Sequence, residues 1–176
     1  MTQQKELFAA QGDRPEPEYT FFWQGPFSQW HLADITVCGR TFNCCEQFVA
    51  WSKAMLFGDA LTAAKVMKSP KPREQKGLGR EVEGFREDLW KCFRGGVVYT
   101  ANYAKFSQHE KLKFQLLGTR GTILVEASPH DRVWGIGLSA DDPKARRKSL
   151  WRGLNLLGYT LTRVREAIDF EERFAR

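Results

Sequence analysis

The stretch CCEQFVAWSKAMLF, residues 44 to 57, decides how the rest of the chain is read. Phe48, Trp51 and Met55 recur at helical spacing on one side, with Cys45, Val49 and Leu56 beside them, so the spacing predicts a helix from Cys44 to Phe57. Glu46 enters that helix near its N-terminus, among Phe, Val and Trp. Two readings of it are open. An acid there complements the helix dipole and contributes roughly 0.3–1 kcal/mol. Alternatively, an apolar surround raises its pKa and makes it a proton donor near neutral pH.

Working outward, Gly58-Asp59 ends the helix, and Asp59 supplies the N-cap of a second one from Ala60 to about Lys68, stopped by Ser69-Pro70. SPKPREQKGLGREVEG, residues 69 to 84, carries two prolines and three glycines and reads as a loop with one helical turn. Its GLGR, ending at Arg80, would cradle a phosphate but lacks the full strand-loop-helix fingerprint. Residues 85 to 119 look helical, with a break at Gly95-Gly96 and an end at Gly118. Lys105 lies on an apolar face there with Val98 and Ala101. It either snorkels to the surface or is desolvated into a reactive amine.

On the N-terminal side, TFFWQGPFSQWHLADITVCGRTF, residues 20 to 42, predicts two short strands turning at Cys38-Gly39-Arg40. Residues 1–18 are polar and proline-bearing and read as a flexible leader. TILVEA, residues 122 to 127, predicts a strand running into the turn Ser128-Pro129-His130-Asp131. In the following loop, Asp131 and Trp134 are either turn and core residues or the rim of a site. Leu150, Leu154, Leu157, Leu161, Val164 and Ile168 form the apolar stripe of a last helix. The expectation is one domain over residues 19–171, of α+β class, mostly α-helical with a small β-sheet.

Composition narrows the class. With 42% hydrophobic and 27% charged residues, the 176-residue chain falls in the globular range. It has no run of about 18 apolar residues and no signal-peptide pattern, so a soluble, cytoplasmic protein without membrane attachment is expected. Four cysteines without a C-x-x-C pair and three scattered histidines imply buried free thiols and neither metal nor cofactor. The net charge of +6 suits an anionic partner. PKARRKSLWR, residues 143 to 152, concentrates it, either as a solvated loop or as a phosphate or nucleic-acid contact.

Taken together, the segments resemble the NADAR, or YbiA-like, family over about residues 21 to 168. Ser28-Gln29-Trp30 stands near an FSNF-like opening. Glu46 and Lys53 match the glutamate and lysine of W-P-T-S-E-H-Y-F-Q-A-Q-K, and Trp90 matches a helical tryptophan. Ala104-Lys105-Phe106 matches A-K-F, Leu124-Val125-Glu126 an L-V-E strand, and Asp131 with Trp134-Gly135 the D-x-x-W-G loop. Gly153, Asn155, Leu157 and Gly158 match the final G-x-N-x-L-G. Gln29, Gln47 and Cys44-Cys45 depart from the pattern and are expected around the pocket. The resemblance implies an N-glycosidase, with Glu46 as acid and base, Lys105 as an imine-forming amine and Lys53 in reserve. Asp131 would hold ribose hydroxyls or water, Trp90 and Trp134 would form aromatic walls, and Ser28, Gln29, Trp30, Arg80, Gly135 and Asn155 would bind substrate.

Three functions follow from that resemblance and from the charge. The first is removal of ADP-ribose from guanine in nucleic acid, in the manner of an antitoxin paired with a DNA ADP-ribosyltransferase toxin. The second is cleavage of a riboflavin-pathway intermediate, and the third is binding of nucleotide or ADP-ribose without turnover. The basic stretch favours the first.

Overall fold

The computed structural model describes residues 17–174, so the expected leader falls almost wholly outside the described residues. Glu18 already belongs to the sheet: its carbonyl accepts from Ile123 N at 2.9 Å. Strand β1 (Tyr19–Phe22) runs parallel to β4 (Ile123–Glu126), with Phe22 opposite Glu126. All but the last of the α-helices among the described residues lie in the crossover between them, a long connection of the kind that a parallel pair requires. Strands β2 (Ile35–Val37) and β3 (Arg40–Phe42) form an antiparallel hairpin. Cys38 and Gly39 take φ of 49° and 75°, which a two-residue turn matched to strand twist needs.

Six α-helices carry the rest: α1 (Cys45–Leu56), α2 (Ala60–Lys68), α3 (Pro72–Arg80), α4 (Glu87–Gln108), α5 (Glu110–Leu117) and α6 (Leu156–Phe174). Asp59 caps α2 as expected, its Oδ1 accepting from Thr62 N at 2.9 Å. The core forms around α4. Val98 and Phe106 pack with Phe22, Leu124 and the α6 residues Leu157, Leu161, Val164 and Ile168, while Ala101 and Ala104 pack with Ile35, Phe42, Cys45 and Phe48. Helix α4 therefore separates α6 from α1, and small residues face α1 where the approach is close.

Four expectations are corrected. Residues 72–80 form a full helix: Pro72 sits in the first turn, where a missing N–H costs nothing. A Cβ on Gly79 would come within 3.2 Å of Ala50 Cβ, so this glycine serves helix contact, not chain reversal. Helix α4 continues through Gly95-Gly96, and the chain breaks instead at His109, whose backbone is extended. Two exposed glycines cost about 1 kcal/mol each, which packing along a 22-residue helix outweighs. The final stripe begins later than expected: Leu150 and Leu154 precede α6 and are exposed, because Asn155 at φ 52° turns the chain just before it. Only Cys44 and Cys45 are buried; Cys38 and Cys92 are exposed.

Candidate active site

A cavity of about 1110 Å³ opens between the loop around residues 23–32, the start of α1, α3, the middle of α4 and the loop after β4. Glu46 reaches it from the first turn of α1. Its N–H donates to Gln29 O at 3.1 Å, and its Oε2 accepts from the Trp30 indole at 3.1 Å. Burial in the cavity wall pushes this carboxyl above the usual carboxylate range, and Asp131 adds to the rise. Lys76, the Trp30 hydrogen bond and Arg80 oppose it.

The second carboxyl is Glu126, the last residue of β4. Its backbone is fixed at both ends, with N–H donating to Asn155 Oδ1 at 2.9 Å and the carbonyl accepting from Ile136 N at 2.9 Å. Burial, then the charges of Asp131 and Glu46, push its pKa up to about 7 against the pull of Lys76. Asp131 also lines the cavity, but its Oδ1 accepts from Val133 N at 2.8 Å and Trp134 N at 2.7 Å. Asp131 therefore builds the turn and lines the cavity.

Aromatic and cationic groups complete the wall. Lys76 Nζ lies 5.7 Å from the Trp30 ring and the Arg94 guanidinium 5.9 Å from Trp134, while Trp23 faces His130 at 6.3 Å. Arg80 and Arg132 add two more cations, and Ser28 and Gln29 line the cavity beside Trp30.

Five of the expected site residues stand outside the lining. Lys105 is fully buried, its ammonium donating to Pro26 O at 2.9 Å and Ser28 O at 3.1 Å, so it fastens the cavity loop from behind. Burial depresses its pKa. Lys53 donates to Gly79 O at 2.6 Å, satisfying a carbonyl of the last turn of α3, and its ammonium lies 3.8 Å from the Phe85 ring. Trp90 sits half-buried near the start of α4. Gly135 is packed so closely that a Cβ would stand 2.8 Å from Glu126 O. Asn155 clamps β4, donating to Leu124 O at 3.0 Å while accepting from Glu126 N.

The departures from the family pattern are placed differently too. Gln47 ties α1 to the end of α2, donating to Val66 O and Ser69 O. Cys44 donates to Gln75 Oε1 and Cys45 to Asn102 Oδ1. Only Gln29 among them reaches the cavity. The basic stretch 143–152 lies outside the lining as well. Glu126, Lys76, Arg94, Arg132, Trp23 and His130 are among the cavity residues to which the sequence reading gave no site role. A helical reading of residues 72–80 would have put Lys76 and Arg80 on one face at four-residue spacing. Among the described residues no cluster of three or more His, Cys, Asp or Glu could hold a metal ion, and no helix is long and apolar enough to cross a membrane.

The comparisons agree with this architecture. The chain is 40% identical over 135 residues to Protein irg-1 of Caenorhabditis elegans, covering 76% of this chain and 64% of that protein's length. It is 38% identical over 145 residues to N-glycosidase R617 of Acanthamoeba polyphaga mimivirus, covering 80% and 85%. The solved NMR structure of the Escherichia coli protein YbiA superposes with a TM-score of 0.74 at 25% identity, over 92% of this chain and 90% of that one. A NADAR domain model matches residues 16–169, the whole span from β1 to the last turns of α6, and the chain belongs to that family.

Proposed function

We propose that this protein is an N-glycosidase that hydrolyses the bond between the ribose of an ADP-ribosyl group and the amino group of guanine in nucleic acid. The class rests on family membership and on the name of the R617 relative. The observation that carries the substrate reading is one cavity holding two carboxyls kept toward their protonated forms, within reach of four cations. Its volume exceeds what most drug-sized ligands fill, and Arg80, Arg94 and Arg132 supply charge for a diphosphate while Lys76 is kept for the chemistry. A small ribosylaminopyrimidine phosphate would leave much of that charge unused.

The chemistry follows from the residues present. Glu46 in its acid form protonates the ribose ring oxygen, the bond from that oxygen to the anomeric carbon breaks, and the nitrogen lone pair forms the C=N bond. Lys76, the lysine in the cavity lining, adds through its amine to that carbon. The guanine amine leaves with a proton, and water hydrolyses the lysine imine to free sugar and amine. The tryptophans exclude water and hold the planar base.

The test is incubation of the purified chain with an ADP-ribosylated guanine oligonucleotide and, separately, with a ribosylaminopyrimidine phosphate. Release of ADP-ribose from the first alone is expected; turnover of the second alone reassigns the substrate. Borohydride added during turnover should label Lys76, whereas an active sample without an adduct means direct attack by water.

A further inference from the structure

Every buried side-chain nitrogen or oxygen among the described residues has a hydrogen-bond partner except two, Gln29 Oε1 and Glu126 Oε2. Both residues line the same cavity, on opposite sides of Glu46 in the chain. A buried acceptor without a donor is costly, and folded proteins leave few of them. Two in one cavity call for a ligand that brings the donors.

Neither side chain sits on a backbone free to swing toward a partner. Gln29 is 8% exposed, and its own carbonyl accepts from Glu46 N at 3.1 Å. The loop beside it is fastened by Lys105 through Pro26 O and Ser28 O. Glu126 is fixed by Asn155 on one side and by Ile136 on the other. The backbones that carry the two oxygens are thus preorganised. Asp131, the residue expected to hold sugar hydroxyls, already spends Oδ1 on two amides of its own turn.

We propose that Gln29 and Glu126 are the residues that read the vicinal hydroxyls of the substrate's ribose, making the site selective for ribosides over deoxyribosides. This inference rests on the N-glycosidase reading above. Two O–H donors match two acceptors whose residues line one cavity with Glu46, and the Glu46 charge bears on Glu126. A Glu126 oxygen that accepts from a ribose hydroxyl strengthens its hold as positive charge develops at the anomeric carbon, so the contact acts on turnover as well as on binding.

The experiment measures calorimetric binding of ADP-ribose and of its analogues lacking the 2- or the 3-hydroxyl on the distal ribose. The intact chain should bind the deoxy forms about 100-fold more weakly, because a site built around a hydroxyl rejects an analogue without one. In Gln29→Leu and in Glu126→Leu that penalty should fall below about tenfold, and Gln29→Glu and Glu126→Gln, which keep an acceptor, should restore most of it. Thermal melting identifies any variant that fails to fold, and the acceptor-retaining pair then carries the comparison. Equal affinity for ribo and deoxy forms, a penalty unchanged in the leucine variants, or binding of none of the three probes overturns the inference. Turnover of the ADP-ribosylated oligonucleotide without a hydroxyl penalty removes this inference alone; a hydroxyl penalty without turnover removes the N-glycosidase reading alone.

Discussion

Lys105 and Lys76 are carried by α4 and α3, two helices that both pack against α1, and the two regions use a lysine in opposite ways. Behind the cavity loop, Lys105 is sealed from solvent and its ammonium is bound to two carbonyls. In the cavity wall, Lys76 is half-buried over the Trp30 ring, and its charge bears on both Glu46 and Glu126. A desolvated lysine is therefore not by itself a reactive one. Burial lowers the pKa of Lys105, but its ammonium is bound to carbonyls and lies outside the cavity lining, whereas Lys76 lines the cavity.

The largest effect should come from the wall. Glu46→Gln keeps the Trp30 contact within reach of an amide oxygen yet removes the proton, so kcat/KM should fall about 10²–10⁴-fold with ligand affinity retained. Steady-state kinetics beside calorimetry checks this. A loss of both together would make Glu46 a binding group. Behind the loop, Lys105→Ala strands two carbonyls and opens a void, and should cost about 3–5 kcal/mol in a urea melt. A Lys105→Ala protein of native stability that lacks all turnover would return the covalent role to Lys105.

Glu126 sharpens the contrast through pH. Its folded pKa of about 7 lies above its unfolded value of 4.5, so the native state binds the extra proton between those limits. Stability from this group is fully present below about pH 4.5 and is lost as pH rises through 7. Glu126→Gln should accordingly melt several degrees higher than the parent at pH 8, with the gap closing by pH 5. A gap independent of pH would contradict a neutral Glu126 in the ligand-free cavity. The smallest effect is expected far from the cavity. Arg146→Ala with Arg147→Ala should change stability by less than about 0.5 kcal/mol and leave ADP-ribose binding unaltered. If the basic stretch touches nucleic acid, the same pair lowers the salt dependence of oligonucleotide affinity by about one unit of slope for each arginine removed.

Much of this was legible because the pattern is local. The helix at Cys45–Leu56, the Asp59 cap, the Cys38-Gly39 turn and the strand ending at Glu126 each follow from residues a few positions apart. Helix α3 was missed because Pro72, Gly77 and Gly79 speak against a helix until Ala50 is known to lie against Gly79. The same error hid Lys76. Asn155 and Gly135 stand in the matching motifs at places that spacing conceals: they pack on Glu126 and its strand and lie outside the cavity lining.

The sequence by itself determined the family, the order of the elements and the presence of an acid at the mouth of an apolar helix, because periodicity, caps and turns act over one or two turns of chain. Only the tertiary structure decided which charged side chains share a cavity. Glu46, Lys76 and Glu126 are separated by tens of residues, and whether a lysine ends among carbonyls or beside a carboxyl depends on how the helices close around α1, which no local spacing encodes.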